Sequence, residues 1–166
     1  MVGSKDSHLR KLIFRTHQIN FDPKYTMSIN EIQDEIIAEF ADFEDWMDRY
    51  SLLIDLGNEL EPLPEECKTD QNLIDGCQSK VWIDAQLNEQ GLVCFRGDSD
   101  AILVKGIVAL LIKVLSEHTP EEISKAELYF IDAIGLQEHL SPTRSNGLVA
   151  MLKQMRLYAL AFQAKQ

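Results

Sequence analysis

Cysteine is scarce in this chain: Cys67, Cys77 and Cys94 are the only three in 166 residues. So sparse and odd a set excludes a disulfide framework and points to a reducing compartment. Histidine is nearly as rare. His8 and His17 fall near the start and His118 and His139 far downstream, and no Cys or His pair has the close spacing of a zinc site, so no metal is expected. Basic residues are in short supply as well: 16 Lys and Arg stand against 27 Asp and Glu, a net charge of −11. That balance excludes nucleic acid as a partner, because phosphate backbones are held by clustered cations. Long apolar runs are missing too. The longest, from Ala101 to Leu115, is interrupted by Lys105 and Lys113 and falls short of the roughly 20 residues that cross a bilayer. It reads as a buried helix, and a membrane partner is not expected. Neither a Gly-rich phosphate loop nor a Gly-x-Ser-x-Gly elbow occurs.

What remains is an ordinary globular balance, 45% hydrophobic and 26% charged, in a chain of single-domain length. A soluble, cytoplasmic monomer or homodimer, able to dock on basic protein surfaces, is the expectation. The first 26 residues stand apart: Lys5, Arg10, Lys11, Arg15 and Lys24 outnumber Asp6 and Asp22, against the acidic trend of the rest. They contain no apolar stretch of signal-peptide length. Residues 1–26 are expected to be a non-native or disordered extension, and 27–166 to form the domain.

Helix signals begin at Ser28, which with Glu31 has capping-box spacing before Ile29, Ile32, Ile36, Ile37 and Phe40. Phe43, Trp46, Met47, Tyr50, Leu53 and Ile54 predict a second helix, with Asp42 as its cap and Gly57 as its stop. Glu61 to Pro64 predicts an extended connector. The period then changes to two: Val81, Ile83, Ala85 and Leu87 alternate with Trp82, Asp84, Gln86 and Asn88. A turn at Asn88–Gly91 and a strand over Leu92–Arg96 complete a hairpin, and a further strand near Lys68–Leu73 is available to pair with it. Asp98-Ser99-Asp100 is expected to open the apolar helix, which runs to about Glu117. Thr119-Pro120-Glu121-Glu122 is a second capping box with proline at the first helical position. A helix over Lys125–Ile134 should stop at Gly135. A last one, started by Ser141-Pro142, should bury Leu148, Leu152, Met155, Tyr158 and Phe162. Helices flanking a small antiparallel sheet of about three strands make an α+β fold.

Chemistry falls to the thiols. The nucleophile is the thiolate, and at an unperturbed pKa near 8.5 only about 3% is ionised at neutral pH. Cys77 lies in the polar stretch Asp75-Gly76-Cys77-Gln78-Ser79-Lys80, next to a glycine and near a cation. On the residues alone it is either a reactive thiol or a bystander in a loop. Cys94 reads as a small buried hydrophobe, and Cys67 as a free thiol in an acidic loop. His139 is available as a base to Cys77, as in cysteine hydrolases, or else merely ends a helix.

Three strings carry a resemblance. Gly76-Cys77-Gln78-Ser79-Lys80-Val81-Trp82 resembles the active-cysteine motif of SufE-type proteins. Gly97-Asp98-Ser99-Asp100-Ala101, continued by Val104-Lys105-Gly106, resembles a second family motif, and His139 to Leu148 a third. The likeness runs from about Ile32 to Ala164. It implies a SufE/IscU-like α+β fold, a small curved antiparallel sheet covered by helices. It also implies a function. Cys77 would take a sulfane sulfur as a persulfide from a SufS-like cysteine desulfurase, whose pyridoxal phosphate stays on that partner, and would activate the desulfurase. Cys77 would then deliver the sulfur to a SufBCD-like iron–sulfur scaffold. No resident cofactor is implied. Asp100 and Arg144 match positions associated with the cysteine loop and the partner-facing surface, and Gln78 and Lys80 are candidates to stabilise a sulfur anion. Asp100 can equally be read as a favourable charge at a helix N-terminus, and Trp82 as core packing. Three other readings stay open: an acceptor for a CsdA-type desulfurase feeding other sulfur pathways, a Cys/His hydrolase, and a purely structural adaptor whose partner binding does not depend on Cys77 chemistry. Cys67 and Cys94 belong to none of the motifs, and Cys67 is open to a side reaction with Cys77.

Overall fold

The computed structural model describes residues 27–165, so the 1–26 extension, with His8 and His17, lies outside the described residues. Helix α1 (Ile29–Ala41) begins at the expected capping box, with Ser28 and Glu31 exchanging hydrogen bonds, and buries Ile29, Ile32, Ile36 and Phe40. Helix α2 (Trp46–Glu59) is capped by Asp45, whose carboxylate accepts from the Met47 amide, and not by Asp42. Gly57 does not stop it. The glycine lies inside the helix, where a Cβ would come within 2.8 Å of the Gly106 nitrogen, so its role is close helix crossing.

The chain then extends through 61–64, makes a short 3₁₀ turn over Glu65–Cys67, and reaches a hairpin of β1 (Val81–Leu87) and β2 (Val93–Ser99). The strands pair antiparallel with Val81 opposite Ser99 and Leu87 opposite Val93. Asn88 builds the turn, its side-chain oxygen accepting from both Gln90 and Leu92 amides at 2.9 Å. The sheet has two strands among the described residues, not three. The segment before β1 supplies only an isolated bridge between Leu73 and Trp82, because the chain turns at 69–72 and leaves too short a stretch to pair.

Helix α3 (Ile102–Leu115) is the central element, with Val104, Ile107, Val108, Leu110, Leu111, Val114 and Leu115 buried against α2 and β2. The Asp98-Ser99-Asp100 string does not cap it. Asp98 and Ser99 finish β2, the N-cap is Ala101, and the Asp100 carboxylate turns to the Lys80 amide instead. Helix α4 (Pro120–Lys125) starts at the second capping box. The expected helix over Lys125–Ile134 shrinks to α5 (Phe130–Ala133). Side chains from elsewhere take over the backbone groups a helix would have used. Arg156 donates to the Ala126 carbonyl and Gln33 to the Glu127 carbonyl, both at 3.1 Å, while the buried Gln33 accepts from the Phe130 amide at 3.2 Å. Helix α6 (Pro142–Ala164), capped by Ser141, packs on β1 and α4 through Leu148, Met151, Met155 and Ala159. Leu152, Tyr158 and Phe162 are half-buried at the edge of the same core. The result is the expected α+β architecture: a small antiparallel hairpin covered by helices.

Candidate functional site

The loop 75–80 is closed at its base and tied at its downstream end. The Ile74 amide, on a residue whose side chain is buried, donates to the Val81 carbonyl at 2.8 Å, so the chain leaves and re-enters the sheet edge at one point. At the far end Lys80 is held three times. Its amide donates to Asp100 Oδ1 at 3.0 Å, and its carbonyl accepts from Ser99 Oγ at 2.9 Å and from the Asp100 amide at 3.2 Å. Gly76 has φ +91°, a conformation that a residue with a Cβ rarely adopts, and this turns the chain so that Cys77 points inward.

Cys77 is half-buried and packs on the edge of the core. Its Sγ donates to the carbonyl of Gly147 in α6 at 3.8 Å. Burial pushes the Cys77 thiol up from its ordinary pKa. The neighbouring oxygen works in the same direction, since a carbonyl accepts the proton of a thiol and offers nothing to a thiolate. The thiol thus rests half-buried against α6, in a setting that favours its protonated form.

None of the other expected residues makes a side-chain hydrogen bond to the thiol among the described residues. Gln78 and Lys80 are exposed, and neither side chain bonds Sγ among the described residues. Asp100 is exposed and acts on the loop backbone. Arg144 is exposed in the first turn of α6, one helical turn before Gly147, with no ion pair or side-chain hydrogen bond among the described residues. His139 is occupied elsewhere. Its ring stacks on Trp46 with centroids 3.7 Å apart and its Nδ1 meets the Gly135 carbonyl at 3.0 Å, so it makes no hydrogen bond to Cys77.

The other thiols differ from expectation. Cys94 is not a buried hydrophobe: it alternates with the core-facing Val93 and Phe95 and so stands half-buried on the outer face of β2. Burial, and then the Glu117 carboxylate, push its pKa up. Trp82 is likewise on the outer face of β1, half-buried under the Lys68 ammonium at 5.4 Å, and is not core. Cys67 accepts from Arg96 Nη2 at 3.4 Å, while Arg96 is paired with Asp84. Two residues with no assigned role in the sequence prove to belong to the site. A glycine inside a helical pattern is a signal that was legible for Gly147; nothing local marks Ser99 as a buried hydroxyl that holds Lys80.

Among the described residues no three His, Cys, Asp or Glu side chains gather to hold a metal ion, and no helix is long and apolar enough to cross a membrane. A cleft of about 440 Å³ bounded by Ser28, Glu122, Lys125 and Tyr129 contains no residue of the Cys77 loop.

Fold and site together define a small α+β protein with a half-buried thiol on a loop tethered at its ends. The SufE family, described as an Fe-S metabolism associated domain, matches residues 34–159, and the chain belongs to that family. It is 46% identical over 132 residues to an uncharacterized SufE-like protein of Synechocystis sp., covering 80% of this chain and 82% of that protein. Its fold is similar to the solution structure of a hypothetical protein from Thermus thermophilus, with a TM-score of 0.67 and 21% identity over 80% of this chain and 96% of the other. Family membership implies a sulfur-acceptor role in Fe–S metabolism.

Proposed function

We propose that Cys77 is the sulfur-carrying residue, loaded by a cysteine desulfurase and unloaded to an iron–sulfur scaffold in the cytoplasm. The observation that carries this reading is the setting of the thiol. Of the three free cysteines, Cys77 is the one on a loop that turns at a positive-φ glycine and is fixed at both ends by hydrogen bonds. Cys67 is engaged by Arg96 and Cys94 lies within a strand.

The reaction is sulfane transfer by thiol–disulfide exchange rules. The Cys77 thiolate attacks the terminal sulfur of the donor's persulfide, a new S–S bond forms on Cys77, the donor's S–S bond breaks, and the donor cysteine leaves as a thiolate. The proton of the terminal sulfur travels with it, and no electrons are gained or lost overall. Taking the sulfur frees the desulfurase for another turnover, so acceptance is also activation. Because the resting thiol is withdrawn, the partner must draw the loop out, and docking is where that work is done. Arg144, exposed one helical turn before Gly147 and without an ion pair among the described residues, offers a cation for a carboxylate of the partner or for the persulfide anion, and the exposed Gln78 and Lys80 turn toward that anion once the loop is out. Asp100 holds the loop until then. A SufS-like desulfurase and a SufBCD-like scaffold fit this chemistry; a CsdA-type donor uses the same thiol and is separated by pull-down against both desulfurases. The hydrolase reading loses its support, because the His139 ring is held by Trp46 and Gly135.

The test is mass spectrometry after incubation with a desulfurase and free cysteine. A gain of about 32 Da on the Cys77 peptide, the mass of one sulfur in a persulfide, is expected. Cys77→Ser should abolish both that gain and stimulation of the desulfurase, whereas Cys67→Ser and Cys94→Ser should preserve both. Undiminished stimulation by Cys77→Ser would refute the proposal.

A further inference from the structure

Gly147 lies inside α6, where alanine is the better helix former. It does not adopt a positive φ, so its backbone conformation does not demand glycine. What the missing side chain provides is space for one neighbour. A Cβ on Gly147 would stand 3.0 Å from Cys77 Sγ, 3.8 Å from Cys77 Cβ and 3.9 Å from Cys77 Cα, and these are the three nearest atoms. The first distance is well inside the roughly 3.5–4.0 Å of ordinary nonbonded contact. The other close-approach glycines differ: Gly57 and Gly106 meet the backbone of a facing helix, and Gly97 meets Val108 and the Trp82 carbonyl. Gly147 also supplies the carbonyl that receives the Cys77 proton. A helix that gives up stability at the one place where the reactive thiol rests breaks a local rule for the sake of a site.

We infer that Gly147 is a positioning residue, a seat shaped to hold Cys77 withdrawn against α6, and that filling it moves the thiol toward solvent. As a control on sulfur transfer the inference rests on Cys77 being the carrier. The seat itself is a property of the free protein and is measured without a partner. The two positions of the loop are an equilibrium, and a Cβ at Gly147 raises the free energy of the withdrawn one alone. Thiolate formation follows the outward position, since the anion has no proton to give the carbonyl.

The test is Gly147→Ala in the full chain, labelled with iodoacetamide under native conditions and read cysteine by cysteine by mass spectrometry. Cys77 should react about threefold faster or more, with Cys67 and Cys94 unchanged as internal references. Exposed Asn146, changed to Ala, should leave all three rates as they are. A thermodynamic cycle gives a readout that does not depend on labelling. In a Cys77→Ala background the helix gains from alanine without meeting Sγ, so Gly147→Ala should raise Tm by about 2–4 °C, and by clearly less when Cys77 is present. An unchanged Cys77 rate in a folded Gly147→Ala chain would overturn the inference. So would equal Tm changes in both backgrounds, including an equal fall from general loosening. A chain that passes these tests but takes no sulfur from a desulfurase would keep the seat and lose the carrier reading.

Discussion

Asp100 and Lys80 are tied in both directions: the Asp100 carboxylate accepts the Lys80 amide at 3.0 Å, and the Asp100 amide donates to the Lys80 carbonyl at 3.2 Å. The tie joins the start of β1 to the end of β2, so it fixes where the Cys77 loop must finish. Asp100 thus reaches the thiol through the backbone and without touching it.

Asp100→Ala should therefore loosen the loop more than it weakens the fold. Losing one charge-assisted bond at an exposed position costs about 1 kcal/mol, while Cys77 alkylation should speed several-fold. Asp100→Asn keeps an oxygen that can accept the Lys80 amide and should lie between the two. Denaturant titration and thiol labelling check both effects, and wild-type labelling in Asp100→Ala would contradict the tie.

The pH dependence of Cys77 follows from its burial. The folded pKa is raised, so the protonated thiol is the form favoured by the fold. The corresponding stability is complete below the unfolded thiol's value, near 8.5, and is lost as pH rises through the higher folded value. Alkylation of Cys77 in the native chain should accordingly have its midpoint above that of the same thiol in urea. Coincident midpoints would show that the thiol is not withdrawn.

Helices α2 and α3 cross where Gly106 faces Leu53. A Cβ on Gly106 would lie 2.1 Å from the Leu53 carbonyl oxygen and 2.6 Å from its carbon, which are backbone atoms with nowhere to move. Gly106→Ala should cost about 3 kcal/mol through overpacking, measured by chemical denaturation. Gly57→Ala, with its nearest clash at 2.8 Å, should cost less.

Glu117 holds φ at 64°, the left-handed region, as the chain leaves α3 and its amide bonds the Val93 carbonyl at 2.7 Å. Its side chain is exposed. Glu117→Gly removes about 1–2 kcal/mol of strain and adds unfolded-state entropy worth somewhat less. A net gain of about 0.5 kcal/mol is expected from these two opposing effects, read as a small rise in Tm.

Local signals were reliable where the partners are close along the chain. Ser28 with Glu31, and Thr119 with Glu122, form both capping boxes as spaced, and the alternation from Val81 marks β1. They failed where a distant group takes over. Gln33 and Arg156 dissolve the expected helix after Lys125 by bonding its backbone. Gly57 has the residue type of a helix stop, but its use depends on Gly106, which the sequence places far away.

The sequence by itself determined that one cysteine sits in a glycine-hinged polar loop ahead of a strand, within an acidic α+β domain, because composition, capping and periodicity are set by residues a few positions apart. Only the tertiary structure decided what that cysteine rests against. The seat at Gly147, the Ser99 hydroxyl and the Asp100 tie all join segments separated along the chain by about 20 residues or more. Contacts of that span are fixed by how α3 and α6 pack against the hairpin, and the packing free energy of a whole core, not any local preference, selects them.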